Sequence, residues 1–303
     1  MRIAVIALWL LLTAIAPPVL AGERDGTKRT AIMIAFPPER AALEGAIADR
    51  RDETVNGKII VTGTLAGKPV ILMESGVSMV NAAMNAQLLI DRFAVSRILF
   101  SGIAGGVDPS LHIGDVVIPD SWGQYLEVLM ARETADGFAP VAALTDGGRP
   151  NYGMMHPRLV TTSSTATGPV TRASFSVDPT LLALASKVAG EIRLNQCAAA
   201  AQQCLDRKPV IVVGGQGISG PAFVDNAAYR SYLFDTYRAR VLDMESAAVA
   251  QVAFANGIPF LGFRSLSDLA GGDAEANQMH AFMALASANS AAVITAFLAA
   301  LPD

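Results

Sequence analysis

Glu245 and Asp268 carry the chemistry most visibly. Glu245 opens an apolar helix in the run Val241-Leu242-Asp243-Met244-Glu245-Ser246-Ala247-Ala248, and Asp268 closes the apolar strand Pro259-Phe260-Leu261-Gly262-Phe263-Arg264-Ser265-Leu266-Ser267-Asp268. Helix starts and strand ends are where open α/β sheets build ligand crevices. A carboxylic acid held there can hand over a proton, and a carboxylate in a first helical turn can accept hydrogen bonds from a pair of hydroxyls. The plainer alternatives are a turn or capping aspartate beside Leu269-Ala270-Gly271-Gly272, and a glutamate that complements the helix dipole for about 0.3–1 kcal/mol. An isolated buried charge is costly unless it is paired or used.

The elements around these residues read as α/β. The apolar run 30–36 is a strand, and Pro37-Pro38 opens a helix expected to reach Arg50, with Glu39 in its first turn. Residues 58–65 and 68–74 flank Ala66-Gly67 as a hairpin. A helix over 79–93 leads into a strand at 97–100, which enters the glycine-rich stretch Ser101-Gly102-Ile103-Ala104-Gly105-Gly106, expected as a turn where backbone passes close to something. A strand follows at 114–119. The stretch 120–176 has weak periodicity and reads as a long excursion, a lid or an oligomer contact. A helix over 179–194, a strand over 209–215, a helix around 229–237 and a terminal helix from about Glu275 to Ala300 complete the order.

The chain has 303 residues, a formal net charge of −4 and two cysteines. With no run of Lys or Arg, nucleic acid and anionic membrane are poor partners and a small molecule is favoured. Met1-Arg2, the apolar run Ile3 to Ile15 and the end Val19-Leu20-Ala21 read as a signal peptide over 1–21. An uncleaved anchor is the alternative, but the run is short for a span of about 20 residues and Pro17-Pro18 interrupts it. A polar linker is expected over 22–29 and one domain over 30–303, exported to the periplasm or secreted. In an exported chain, Cys197 and Cys204 most simply form a local disulfide. Free thiols and a metal pair are the alternatives, and His112, His156 and His280 show no ligand spacing to the pair.

Three separated blocks together resemble the purine nucleoside phosphorylase and methylthioadenosine/S-adenosylhomocysteine nucleosidase superfamily. They are Ser101-Gly102-Ile103-Ala104-Gly105-Gly106 with Ile113-Gly114-Asp115-Val116-Val117, then Asp243-Met244-Glu245, then Arg264-Ser265-Leu266-Ser267-Asp268. A fourth, Ala35-Phe36-Pro37-Pro38-Glu39, sits where the nucleosidases place a catalytic glutamate. The resemblance implies a single-domain three-layer sandwich with a central mixed, partly barrel-like sheet flanked by helices. It implies Asp268 as the acid that protonates a purine nitrogen, Glu39 as the base that takes a proton from water, and Glu245 as the ribose ligand. Ser267 accompanies Asp268 in the same block. Met244 would pack on the sugar face or serve as core. Phe223 and Val224, in Gly220-Pro221-Ala222-Phe223-Val224-Asp225, match the purine-stacking segment, with core packing the alternative for Phe223. Ala104 and Gly105 would let backbone approach sugar and base, or simply form a turn. Arg264 would partner Glu39 or belong to a structural ion pair, and Ser75-Gly76 would line the same crevice.

The phosphorylases of this superfamily hold phosphate with arginines, one of them two residues before the first glycine of the central stretch. Phe100 stands there in this chain. A multiply charged anion beside phenylalanine without compensating cations is unfavourable, so water is the expected nucleophile. Ile103 is a departure, because the nucleosidases usually carry serine at that position. The expected activity is hydrolysis of the N-glycosidic bond of a purine nucleoside such as methylthioadenosine, S-adenosylhomocysteine or adenosine, with no metal and no cofactor. Phosphorolysis and non-catalytic nucleoside binding or storage are the alternatives. Relatives suggest a homodimer for a nucleosidase and trimers or hexamers for phosphorylases.

Overall fold

The computed structural model describes residues 25–198, 204–274 and 276–302. The expected signal peptide at 1–21 and the expected helix start at Glu275 lie outside the described residues, as do 199–203 between the cysteines.

The main sheet has twelve strands. In chain order they are β1 (Asp25–Ile34), β2 (Ala48–Val55), β3 (Lys58–Leu65), β4 (Lys68–Glu74), β5 (Phe93–Gly106), β6 (Val116–Ile118), β7 (Ser121–Gln124), β8 (Ser174–Ser176), β9 (Ile211–Val213), β10 (Gln216–Ser219), β11 (Ala239–Asp243) and β12 (Phe260–Asp268). The helices are α1 (Pro37–Glu44), α2 (Met79–Arg92), α3 (Pro179–Ala189), α4 (Ala227–Tyr237), α5 (Ser246–Asn256) and α6 (Met279–Ala300). One path of the sheet runs β8-β7-β10-β11-β5-β1-β4-β3-β2, and β12 leaves it at β5 to pair β6, which pairs β9. Parallel pairs (β1 with β4 and β5, β5 with β12) and antiparallel pairs (β11 with β5, β12 with β6) are mixed. Helices α1, α3 and α6 pack together on one side, while α2 and α5 pack together on the other. The result is the expected mixed α/β arrangement of sheet between helices.

Strand β5 makes the site possible. Its first half lies between β1 and β12 (Ile98 opposite Ala31 and Phe260), and its last residues lie between β12 and β11 (Gly105 opposite Asp268 and Leu242). The sheet therefore splits where β1 ends, and a cleft opens at the carboxyl ends of β1 and β12. Burial of Ile32, Leu72, Leu99 and Leu261 at 0 % exposure fixes these strands against the helices, since alternation and continuous apolar runs both specify register.

Several expected boundaries move. Residues 101–106 are strand, because Ser101 to Gly105 pair with β12 and Gly105 and Gly106 pair with β11, so the glycine-rich stretch is no turn. Residues 25–29, expected as linker, pair with β5 at Asp25–Phe93 and Arg29–Val95. Helix α1 stops at Glu44 and the chain enters β2, which pairs with β3. Helix α3 stops at Gly190 rather than at 194. The hairpin at Ala66-Gly67 forms as expected, with φ of +50° and +77° that suit a tight two-residue turn. The excursion contributes β7 and β8 to the main sheet and buries Trp122 and Phe175. Helix α6 is long and apolar, yet Asn289 and Ser290 are fully buried within the fold: Asn289 bonds the backbone of Asn195, and Ser290 Oγ bonds Phe263 O. Cys197 and Cys204 form a disulfide.

Candidate active site

A cleft of about 210 Å³ opens at the split in the sheet. Asp268, Glu39, Glu245, Met244, Phe223, Val224, Ala104, Gly105 and Ser267 all line it, although they come from five separate parts of the chain. Ser75 and Gly76 do not. Ser75 is fully buried at the end of β4, its N–H donating to Ile34 O, and the next residue, Val77, reaches the cleft instead.

Glu39 owes its place to the prolines. Pro37 and Pro38 start α1 directly after β1, which puts Glu39 in the first turn, close to the strand it has just left. Its Oε2 accepts the Ala35 N–H at 2.6 Å and its Oε1 accepts the Ile103 N–H at 2.8 Å, so one carboxylate ties β1 to β5. The group is 3 % exposed. Burial pushes it up to about 7, against the opposing pull of Arg264 and of the two backbone donors.

Arg264 sits beneath the cleft with no exposed surface. Its Nε lies 2.7 Å from Asp243 Oδ2, its Nη1 3.9 Å from Glu39 Oε1 and its Nη2 3.8 Å from Glu245 Oε2. The Nε and Nη2 hydrogens point at Ser246 Oγ, at 3.0 and 2.9 Å, and Nη1 donates to Ile103 O. Thus the contact with Asp243 is an ion pair rather than a directed hydrogen bond. Phe100 closes the other side, its ring centroid 4.2 Å from Arg264 Cζ. Arg264 is both of the things expected of it, a neighbour of Glu39 and the centre of a structural ion-pair group.

Glu245 is the residue before α5 rather than a member of its first turn. The helix start is capped by others. Asp243 Oδ1 accepts the N–H groups of Glu245 and Ser246 and the hydroxyl of Ser219, and Ser219 Oγ accepts the Ala247 N–H. Freed from capping, the Glu245 side chain reaches the cleft and accepts the Ser78 N–H at 2.7 Å. Ser78 has φ +80°, a conformation that costs a non-glycine residue of order 1–3 kcal/mol and that collects at functional sites. Burial and the neighbouring Asp243 raise the Glu245 carboxyl above its ordinary range.

Asp268 ends β12 at 3 % exposure. Its Oδ1 accepts the Ala270 N–H at 2.9 Å, and the Ser267 hydroxyl lies 3.0 Å from Oδ2. Burial raises this carboxyl too. A Cβ at Gly105 would come within 3.1 Å of Asp268 Oδ1, so glycine there leaves the acid room. At Gly102 a Cβ would strike both Arg264 Nη1 and Glu39 Oε1. Ser290 holds that point of β5, accepting the Gly102 N–H at 3.1 Å.

Phe223 is 55 % exposed at the cleft mouth, which rules out the core-packing alternative. Sequence reasoning passed over Asp243, Val77, Phe36 and Met279, all of which line the cleft. Asp243 carried a usable signal, an aspartate two and three residues ahead of the N–H groups it caps. Val77 and Met279 carried none, since an apolar residue in a loop or helix start reads as packing. Among the described residues no group of His, Cys, Asp and Glu side chains could hold a metal ion.

The phosphorylase superfamily model matches residues 29–299. A 5′-methylthioadenosine/S-adenosylhomocysteine nucleosidase of Anoxybacillus flavithermus is 34% identical over 242 residues, 80% of this chain and 85% of that protein. The nucleosidase of the same description from Mycobacterium bovis is 30% identical over 270 residues, 89% of this chain and 96% of that one. Among solved structures, the nucleosidase of S. pneumoniae with a transition-state inhibitor is 28% identical with a TM-score of 0.67, covering 91% of this chain and all of its own. With a match over nearly all of the described residues, this chain belongs to the phosphorylase superfamily.

Proposed function

We propose that this protein hydrolyses the N-glycosidic bond of a purine nucleoside of the methylthioadenosine, S-adenosylhomocysteine or adenosine type, releasing the free base. The observation that carries the reading is the convergence of Glu39, Glu245 and Asp268, from opposite ends of the chain, on one cleft. In the reaction Asp268 donates a proton to a purine nitrogen as the carbon–nitrogen bond breaks and its electron pair leaves with the base. Glu39 takes a proton from the water whose oxygen attacks the resulting oxocarbenium-like carbon. Solvent returns the proton from Glu39 to Asp268. A base whose carboxyl titrates near 7 and an acid raised by burial suit those two tasks near neutral pH. Glu245 accepts hydrogen bonds from the ribose hydroxyls, and Phe223 stacks on the base.

Water rather than phosphate is the nucleophile in this reading. Phe100, fully buried under Arg264, occupies the place of the phosphate-binding arginine, and Arg264 is already committed to carboxylates. The relatives described as methylthioadenosine/S-adenosylhomocysteine nucleosidases support the same substrate class. Incubating the protein with methylthioadenosine in phosphate-free buffer and separating the products by chromatography tests it. Free adenine is the expected product, and its appearance only on adding phosphate would favour phosphorolysis.

Assembly as a homodimer and export belong to the same proposal. Val80 and Met84 on α2 are 81% and 56% exposed beside an apolar groove shared with Val252 of α5, a surface that a second copy of the chain would cover. Light scattering of the purified protein tests the dimer. Export through the segment 1–21 is supported by its apolar run and by the Cys197–Cys204 disulfide, which persists in oxidising compartments. N-terminal sequencing of the mature protein should begin at Gly22.

A further inference from the structure

A second groove of about 460 Å³ adjoins the cleft and shares its wall of Ala222, Phe223 and Val224. Its other side is built by Leu126, Tyr152 and Met155 from the 120–176 excursion and by Tyr229 from α4. The tyrosines form a packed set. Tyr152 and Tyr229 meet edge to face at 4.9 Å between centroids, Tyr232 backs them at 5.0 and 5.7 Å, and the Tyr232 hydroxyl donates to Pro150 O at 2.9 Å. The excursion is thereby anchored against α4 at the edge of the site.

Seven of the nine residues that line the groove are apolar or aromatic, and Asp225 and Asn226 are the other two. Of its polar residues, Asn226 uses its side chain to cap α4, accepting the Tyr229 N–H at 2.8 Å, and Asp225 Oδ1 accepts a hydrogen bond from Asn277 at 3.3 Å. No Lys or Arg lines it, so an anionic group would find no counter-charge. Neither Glu39 nor Glu245 borders it, whereas the segment proposed to stack on the base does. The groove is thus the continuation of the base end of the cleft, with the exposed ring of Phe223 between the two.

Resting on the nucleosidase reading above, we propose that the groove is a substrate subsite: the preferred purine nucleoside carries a flat apolar substituent on the exocyclic nitrogen of its base, which passes Phe223 and lies against Tyr152 and Met155. The aromatic walls gain from covering such a group because apolar area leaves water on both partners.

The test compares 5′-methylthioadenosine with its N6-benzyl derivative, both at the wild type and at Tyr152→Ala, following release of the free base. The benzyl compound should show kcat/KM about tenfold above the plain compound at the wild type, and Tyr152→Ala should bring the ratio close to one while leaving the plain compound unaffected. Met155→Ala should lower the ratio in the same direction and guards against a local folding defect at Tyr152. Slower cleavage of the benzyl compound at the wild type, or a ratio unmoved by both substitutions, overturns the subsite while leaving the nucleosidase reading intact. Failure to cleave either compound takes down the nucleosidase reading and the subsite with it.

Discussion

Arg264 and Phe100 stack directly, the guanidinium carbon 4.2 Å from the ring centroid, with neither side chain exposed. The pair turns one face of a buried cation to an aromatic ring and leaves its edge for three carboxylates, Asp243, Glu39 and Glu245. Removing the cation strands those carboxylates in the interior. Arg264→Met should lose about 3–5 kcal/mol of stability, the usual result of breaking a buried ion pair from one side, and should move the acid limb of the pH–rate profile upward. Denaturant unfolding and a pH series of kcat/KM check the two effects, and an unchanged acid limb would separate Arg264 from Glu39.

Glu39 must be ionised to take a proton from water. Since burial lifts it to about 7, kcat/KM should fall as pH drops below about 7. An acid limb near 4–5, the ordinary carboxylate range, would remove Glu39 from the role of base. Glu39→Gln should lower kcat by about a hundredfold or more.

Asp268→Asn keeps an acceptor for the Ala270 N–H but has no proton to give. The expected loss is about 10²–10⁴ in kcat with KM changed far less, measured by initial rates of adenine release. A large rise in KM with kcat preserved would make Asp268 a binding group only.

Burial of ionisable acids also shapes stability. A carboxyl with a folded value near 7 and an unfolded value near 4.5 binds more protons in the folded state between those limits. Its contribution is fully present below about 4.5 and is lost as pH rises through 7. Wild type should therefore lose melting temperature relative to Glu39→Gln between pH 5 and pH 8. A difference between the two proteins that stays constant with pH would contradict the assigned shift.

Gly102→Ala places a methyl group against Arg264 and Glu39 at once. Both are held by fixed partners, so the methyl group can be seated only by displacing the strand or the two side chains from the positions they hold at the cleft. A loss of activity of about tenfold or more with the fold retained is expected, read by activity and circular dichroism together.

Much of this site was legible in the sequence because its parts sit at element ends. Asp268 follows a strand that reads as buried throughout, and Pro37-Pro38 announces the helix that carries Glu39. What stayed hidden was set by pairing partners far away. Ser101 to Gly106 reads as a turn by composition, but β12 pairs with it from Ser101 to Gly105 and β11 pairs with its last two residues. Residues 25–29 look like linker until β5 lies beside them. The excursion hides its packing, since Tyr152 meets Tyr229 of α4, more than seventy positions onward.

The Glu39 carboxylate that links Ala35 to Ile103, and the Glu245 carboxylate that reaches back to Ser78, each close loops of dozens of residues or more. Loops of that size are entropically slow to close, and no half of the polypeptide owns a complete set of reacting groups. During refolding, turnover should therefore return last, after helix signal and tryptophan burial have already recovered, so that enzymatic rate reports on the final assembly of the molecule.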